Sequence, residues 1–133
     1  MTFVNRSRMM RIILSVLAAL ALVLFGKPAM AEFRLIMVEQ PGCAYCAAWD
    51  DQIAPAYPNT EEGKFAPLMR ADLHMGPPEG IAYARRVNFT PTFILVDDGV
   101  EIARIEGYPG ENFFWPMFSQ LLQQETDFEP ATQ

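Results

Sequence analysis

Cys43 and Cys46 are the only cysteines of the chain, and they stand as Cys43-Ala44-Tyr45-Cys46 where an apolar strand pattern gives way to a helical one. Phe33 to Val38 reads as a buried strand, Pro41-Gly42 as a turn, and Cys43 to about Ala54 as a helix. A thiol at a helix N-terminus faces unpaired N–H groups and the positive end of the dipole, and both favour the thiolate. The thiolate is the form that attacks disulfides. Cys43 is therefore read as the nucleophile, and Cys46, one turn on, as the thiol that reaches back to resolve a mixed disulfide. Soft-metal binding and an inert pair are the other roles open to two such thiols. A disulfide closing so short a loop constrains the unfolded chain very little, because the stabilisation grows with loop length. A structural zinc takes about four ligands, and beyond the two thiols the chain offers a single histidine, His74, after a different strand.

The elements that must position this pair can be read in order. Pro55 to Thr60 is rich in helix breakers and ends the first helix, and Thr60 to Ala66 fits one short helical turn. Pro67 to Leu73 reads as a second strand. Pro77-Pro78 opens an expected second helix from Glu79 to about Arg86, with proline in its first turn. Thr92 to Val96 reads as a third strand, Asp97-Asp98-Gly99 as a hairpin turn, and Val100 to Glu106 as a fourth strand. After Gly107-Tyr108-Pro109-Gly110 an amphipathic helix follows from about Glu111 to Gln124, with Pro116 awkwardly placed in its early turns. The tail from about Glu125 is acidic. The expected order is β-α-β-α-β-β-α, an α/β domain in which crossover helices join parallel strands and a hairpin adds an antiparallel edge.

The first thirty-one residues read as an export signal rather than as part of that domain. Arg6, Arg8 and Arg11 precede an apolar run from Ile12 to Phe25 broken only by Ser15, and Ala29-Met30-Ala31 supplies the small residues of a cleavage site. The run is short against the ~20 residues of a spanning helix. Residues 1–31 are thus expected to be removed, leaving residues 32–133 as one domain in a periplasm. The whole chain carries a net charge of −6; four of its ten basic residues and no acidic one lie in the signal, so the remainder stands near −10. Such a surface repels nucleic acid and anionic lipid.

The element order, with Cys-x-x-Cys after the first strand and Thr90-Pro91-Thr92 just before the third, resembles the thioredoxin superfamily. The resemblance covers residues 33 to 124 and implies a minimal thioredoxin-like fold with a mixed four-stranded sheet. It also implies that Pro91 is a cis-proline facing the cysteines. The chain departs from thioredoxin itself: no tryptophan precedes Cys43, Ala44-Tyr45 replaces Gly-Pro, and Met37 stands where thioredoxins keep a buried aspartate, with Glu39 two residues on. Pro-Gly-Cys-Ala-Tyr-Cys, Ala56-Tyr57-Pro58 and Ile105 to Gly110 look like the small exported thioredoxin-like SoxS proteins of bacterial sulfur-oxidation (Sox) clusters.

On that resemblance Thr90 offers its backbone to a substrate strand beside the dithiol, and Tyr45, Gly107 and Tyr108 border the substrate groove. Trp49 is expected in the packing, Glu39 as a solvated strand-end carboxylate, and His74 as incidental. Phe113, Phe114, Trp115 and Phe118 are too many for one helix face, so part of the set is expected in the core. The expected activity is thiol–disulfide oxidoreduction by a Cys43–Cys46 disulfide, with no cofactor and in a monomer. The resemblance further implies reduction of an exported partner, a sulfur-oxidation carrier protein, with electrons from a membrane thiol transporter. A disulfide oxidase or isomerase, a Cu(I)-handling module and a non-catalytic module of the same fold are the alternatives.

The signal reading predicts that the exported protein begins at Glu32. An intact mass measured on a periplasmic extract checks this, and a mass that retains residues 1 to 31 would place the protein at the membrane instead.

Overall fold

A computed structural model describes residues 8–15 and 32–131. Residues 8–15 are helical, and the chain divides into two units, residues 1–30 and 31–133. The expected cleavage point after Ala31 lies outside the described residues. Within the second unit, strand β1 (Phe33–Glu39) leads to helix α1 (Ala44–Gln52), a 3-10 turn (Tyr57–Asn59) and the short helix α2 (Glu61–Phe65). Strands β2 (Leu68–Asp72), β3 (Thr92–Asp97) and β4 (Val100–Glu106) and helix α3 (Glu111–Glu125) follow. The sheet order is β2-β1-β3-β4, with β1 parallel to β2 and antiparallel to β3, and β3 antiparallel to β4.

The central strands carry unbroken apolar runs, Leu35 to Val38 and Phe93 to Val96, because both of their faces are buried there. Leu35 and Met37 of β1 and Phe93 and Leu95 of β3 point to one face, where Trp49 and Ile53 of α1, Tyr57, and Phe114, Phe118 and Leu122 of α3 close over them. Trp49 is fully buried, with its ring 5.3 Å from Phe93 and 5.8 Å from Phe114. Each such side chain removed from water contributes about 1.5–3 kcal/mol. Ile36, Val38, Ile94 and Val96 point to the other face and pack with Ala71 and Val87. Of the aromatic run, Phe114 and Phe118 are core, Trp115 stacks on Tyr57 at 6.1 Å, and Phe113 is exposed. Pro116 sits inside α3 on its exposed side, where the carbonyl left without a partner, that of Asn112, belongs to an exposed residue.

Two expectations need correction. The helix expected over Glu79 to Arg86 is absent, and β3 is antiparallel to β1 rather than joined to it by a crossover. The two facts have one cause. Because β3 runs the opposite way, it starts at the end of the sheet where β2 stops, so no helix is needed to carry the chain back. Locally, Gly80 adopts φ +79°, outside the helical region. The segment is instead held extended along the sheet edge: Ala82 N–H donates to Gly99 O at 2.8 Å, and Glu101 N–H donates to Ala82 O at 3.0 Å. The hairpin falls where expected, with Asp98 at φ 47° and Gly99 at φ 83°, as a two-residue turn with both centres left-handed requires.

A buried ion pair fixes that segment to β4. The Arg104 and Glu101 side chains are only 5% and 4% exposed, with Nε to Oε1 at 2.6 Å. Arg104 also donates to Arg85 O at 2.9 Å, and Glu101 accepts Ala84 N–H at 2.6 Å. Burial pushes the Glu101 carboxyl up, but the Arg104 guanidinium and the Ala84 N–H outweigh it and hold it below its ordinary value. A carboxyl depressed in the folded state adds stability above its unfolded pKa and loses it as pH falls through the folded value. Glu101→Ala should therefore cost about 1–3 kcal/mol near neutral pH, by leaving buried Arg104 N–H groups unpaired and only Glu106, at 3.5 Å, to answer the charge, and the deficit should shrink in acid. Urea midpoints at neutral and acid pH measure this; a variant as stable as the parent would show that the pair does not hold the segment.

Candidate active site

The strand-turn-helix junction sets the geometry of the two thiols. β1 ends at Glu39, the chain turns at Pro41-Gly42, and Cys43 becomes the N-cap of α1 with φ −79° and ψ 102°. Its N–H donates to Gln40 O at 3.3 Å, and its carbonyl takes the Ala47 N–H at 3.1 Å. The Cys43 sulfur accepts the Cys46 N–H at 3.1 Å, the bond that a capping oxygen accepts in most helices. Cys43 and Cys46 form a disulfide with Cα atoms 5.2 Å apart. Cys46 is buried at 5% exposure, whereas Cys43 is half-buried at the edge of a groove. The sulfur that an incoming group can reach is that of Cys43.

Two further loops meet this junction. The Thr90–Pro91 peptide bond is cis, Pro91 is buried and Thr90 is half-buried. Val38 pairs with Thr92 across the sheet, which brings Thr90 and Pro91 beside the residues that follow β1. Gln40 Nε2 donates to Thr90 Oγ1 at 2.9 Å, and Gly107 N–H donates to Pro91 O at 2.8 Å. The residues before Cys43, the Thr90-Pro91 loop and the Gly107 corner are thus tied together. Tyr45 is exposed at 66%, with its ring free on the surface between the cysteines. Tyr108 is buried instead, its ring 6.1 Å from Phe114 and its hydroxyl donating to Gln52 Oε1 at 2.6 Å. Its place in the site is to anchor the corner to α1, and burial raises its phenol pKa, as does the Glu111 charge.

The groove at Cys43 measures about 640 Å³ and is open, with Glu39, Gln40, Gly42, Asp50 and Asp72 around the sulfur-bearing residue. Arg70 answers two of the carboxylates: its guanidinium reaches Glu39 Oε2 and Asp50 Oδ1, both at 2.7 Å, and lies 6.0 Å from the Trp49 ring centroid. The hydrogen bond that Arg70 donates to Asp50 raises the Arg70 pKa against the opposing effect of its partial burial, and both carboxylate charges add to the rise. Exposed pairs of this kind contribute about 0–1 kcal/mol, so their effect is on local potential more than on stability. Glu39 is thus an ion-pair partner at the groove, not a free carboxylate. His74 is exposed and borders a different cavity with Arg85 and Arg86. Among the described residues no group of three or more His, Cys, Asp or Glu side chains is placed to hold a metal ion.

Gln40, Gln52, Asp50 and Arg70 had no signature in the sequence. Arg70 faces the site because β2 pairs it with Met37, a register that only the assembled sheet supplies.

A thioredoxin-like domain model matches residues 28–122. A search of curated proteins gave no match. Among solved structures, the chain is similar to the periplasmic thioredoxin SoxS from Paracoccus pantotrophus in its reduced form, at 56% identity and a TM-score of 0.68 over 70% of this chain and 98% of that one. It also matches thioredoxin-2, a component of the malaria parasite protein secretion machinery, at 18% identity and a TM-score of 0.50 over 72% of this chain and 89% of that one. The second likeness is one of fold alone.

The difference in burial predicts the order of reaction. When the reduced protein is alkylated for short times near pH 6, peptide mass spectra should show Cys43 labelled well before Cys46. Labelling led by Cys46 would reverse the assignment of the two thiols.

Proposed function

This chain belongs to the thioredoxin-like family, and from that premise we propose that it is a periplasmic thiol–disulfide oxidoreductase that reduces disulfides or mixed disulfides on an exported protein. The observation that carries the reading is the Cys43 sulfur on the first turn of α1, half-exposed, with Cys46 buried directly behind it. In the reduced state the Cys46 N–H and the helix N-terminus stabilise a Cys43 thiolate.

The cycle follows from that placement. The Cys43 thiolate attacks one sulfur of the partner disulfide; a bond forms between the two sulfurs, and the partner's second sulfur leaves as a thiolate that takes a proton from water. Cys46 then loses its proton and attacks Cys43, re-forming the Cys43–Cys46 disulfide and releasing the partner's remaining thiol. Two electrons pass to the partner, and two must return from a reductant outside the protein. A membrane thiol transporter fits that supply. The closed disulfide, with Cα atoms 5.2 Å apart, is the end state of that attack.

The Thr90 backbone next to Pro91 offers an edge for an extended partner segment, and Tyr45, exposed between the cysteines, is available to that segment. The direction is read as reductive because Ala44-Tyr45 places no histidine or cation between the thiols to deepen thiolate stabilisation. Likeness to a periplasmic SoxS thioredoxin supports the periplasmic location; removal of residues 1–31, action as a monomer and a sulfur-oxidation carrier protein as partner complete the proposal.

The reading predicts that Cys46→Ser traps a mixed disulfide with the natural partner in cells that express it, visible as a thiol-sensitive band on non-reducing gels. Cys43→Ser should trap little. A Cys46→Ser protein that forms no adduct, or equal trapping by both variants, would contradict the assigned roles.

A further inference from the structure

We propose that Gln40 is a positioning residue that holds the substrate-pairing loop in register with the nucleophile. The inference rests on the oxidoreductase reading above and concerns how that site orders an extended substrate. Gln40 follows the last residue of β1 and touches both halves of the site. Its carbonyl accepts the Cys43 N–H at 3.3 Å, and its side-chain amide donates to Thr90 Oγ1 at 2.9 Å. The residue is half-buried at the groove wall, so the bond is partly shielded from water.

The mechanical role follows from what else restrains Thr90. On its C-terminal side Pro91 is pinned through Gly107 N–H, and Thr92 is in the sheet with its hydroxyl on Phe89 O at 2.8 Å. Those bonds tie the loop to β3 and β4. The Gln40 bond ties it across to the segment that carries Cys43. A substrate strand laid on the Thr90 backbone is useful only if its sulfur then meets Cys43, and misplacement by about 1 Å can cost on the order of a hundredfold in rate. A small disulfide makes no strand contact and does not need that register.

The sequence contains the pair but not the relation. Gln40 and Thr90 are fifty positions apart, and a glutamine at a strand end has no signature of its own.

The experiment compares two substrates on the reduced protein. One is an extended peptide of about eight residues whose central cysteine carries thionitrobenzoate as a mixed disulfide, a length that spans one typical strand. The other is the symmetric thionitrobenzoate disulfide alone. Attack by Cys43 releases the coloured thiolate in both cases, and the readout is the ratio of the two second-order rate constants. Gln40→Leu should lower the peptide-to-small ratio about fivefold to tenfold, the worth of one hydrogen bond. Thr90→Val removes the same bond from the other side and should lower the ratio similarly; the double variant should lower it no further. Gln40→Glu should hold the ratio within about twofold of the parent, because a carboxylate can accept the Thr90 hydroxyl proton in place of donating. A change that Glu makes to the Cys43 thiolate enters both rate constants, and its extra repulsion of the dianionic small disulfide is screened by running all assays at about 1 M salt.

An unchanged ratio in Gln40→Leu overturns the proposal, as does a Gln40→Glu ratio as low as that of the leucine variant. If Gln40→Leu does not fold, Thr90→Val decides by the same ratio. A parent protein that releases thionitrobenzoate from neither substrate refutes the oxidoreductase reading and this inference with it.

Discussion

The bond from the Cys46 N–H to the Cys43 sulfur is the contact on which the site depends. It makes one cysteine the cap of α1 and sets the other one turn inside it, and the chemical difference between the two thiols is a consequence. A thiol used as a helix cap is held where the unpaired N–H groups converge. The thiol behind it lies under the helix, against a core that includes Trp49, Phe93 and Phe114. The strand-turn-helix junction keeps the cap in place only because β1 is fixed on both faces. Four consecutive residues, Leu35 to Val38, are at most 1% exposed, so the strand end that feeds the turn has little room to shift.

The second constraint is the irregular connection between β2 and β3. In place of a covering helix, one face of the sheet is closed by an extended segment with Val87 in the core and Arg104 and Glu101 beneath it. That segment runs on into Phe89, Thr90 and Pro91. The buried pair is therefore mechanically upstream of the Thr90-Pro91 loop, and the Gly107 N–H on Pro91 O closes the same loop from the other side. The fold positions the dithiol from the helix side of the sheet and the Thr90-Pro91 loop from the opposite side. They meet at the common end of β1 and β3.

Much of this was legible in the chain. The apolar runs, the Asp98-Gly99 turn and the Cys-x-x-Cys at a strand-to-helix switch each carry local chemistry that the assembled fold does not override, and all four strands lie where the pattern places them. The segment from Glu79 to Arg86 was misread for a physical reason. Ala82-Tyr83-Ala84-Arg85-Arg86 is adequate helix sequence, but its backbone groups find partners on β4, and tertiary hydrogen bonds outweigh a weak local preference. The site divides along the same line. Cys43 and Cys46 announce themselves by type and spacing, and Pro91 through the resemblance that Thr90-Pro91-Thr92 carries. Gln40, Gln52, Asp50 and Arg70 act through partners far along the chain, and nothing near them in sequence records those partners. Tyr108 shows the intermediate case, since its position at the corner was legible but the direction of its ring was not.

The central claim is that Cys43 and Cys46 form a working redox couple and not a static crosslink. Equilibrating the protein across a series of glutathione buffers and counting free thiols tests it most directly. The account predicts a reversible two-electron transition with a midpoint in the range of thioredoxin-like oxidoreductases, roughly −270 to −120 mV. A disulfide that stays closed in every buffer, with a midpoint below about −300 mV as structural disulfides have, would contradict it.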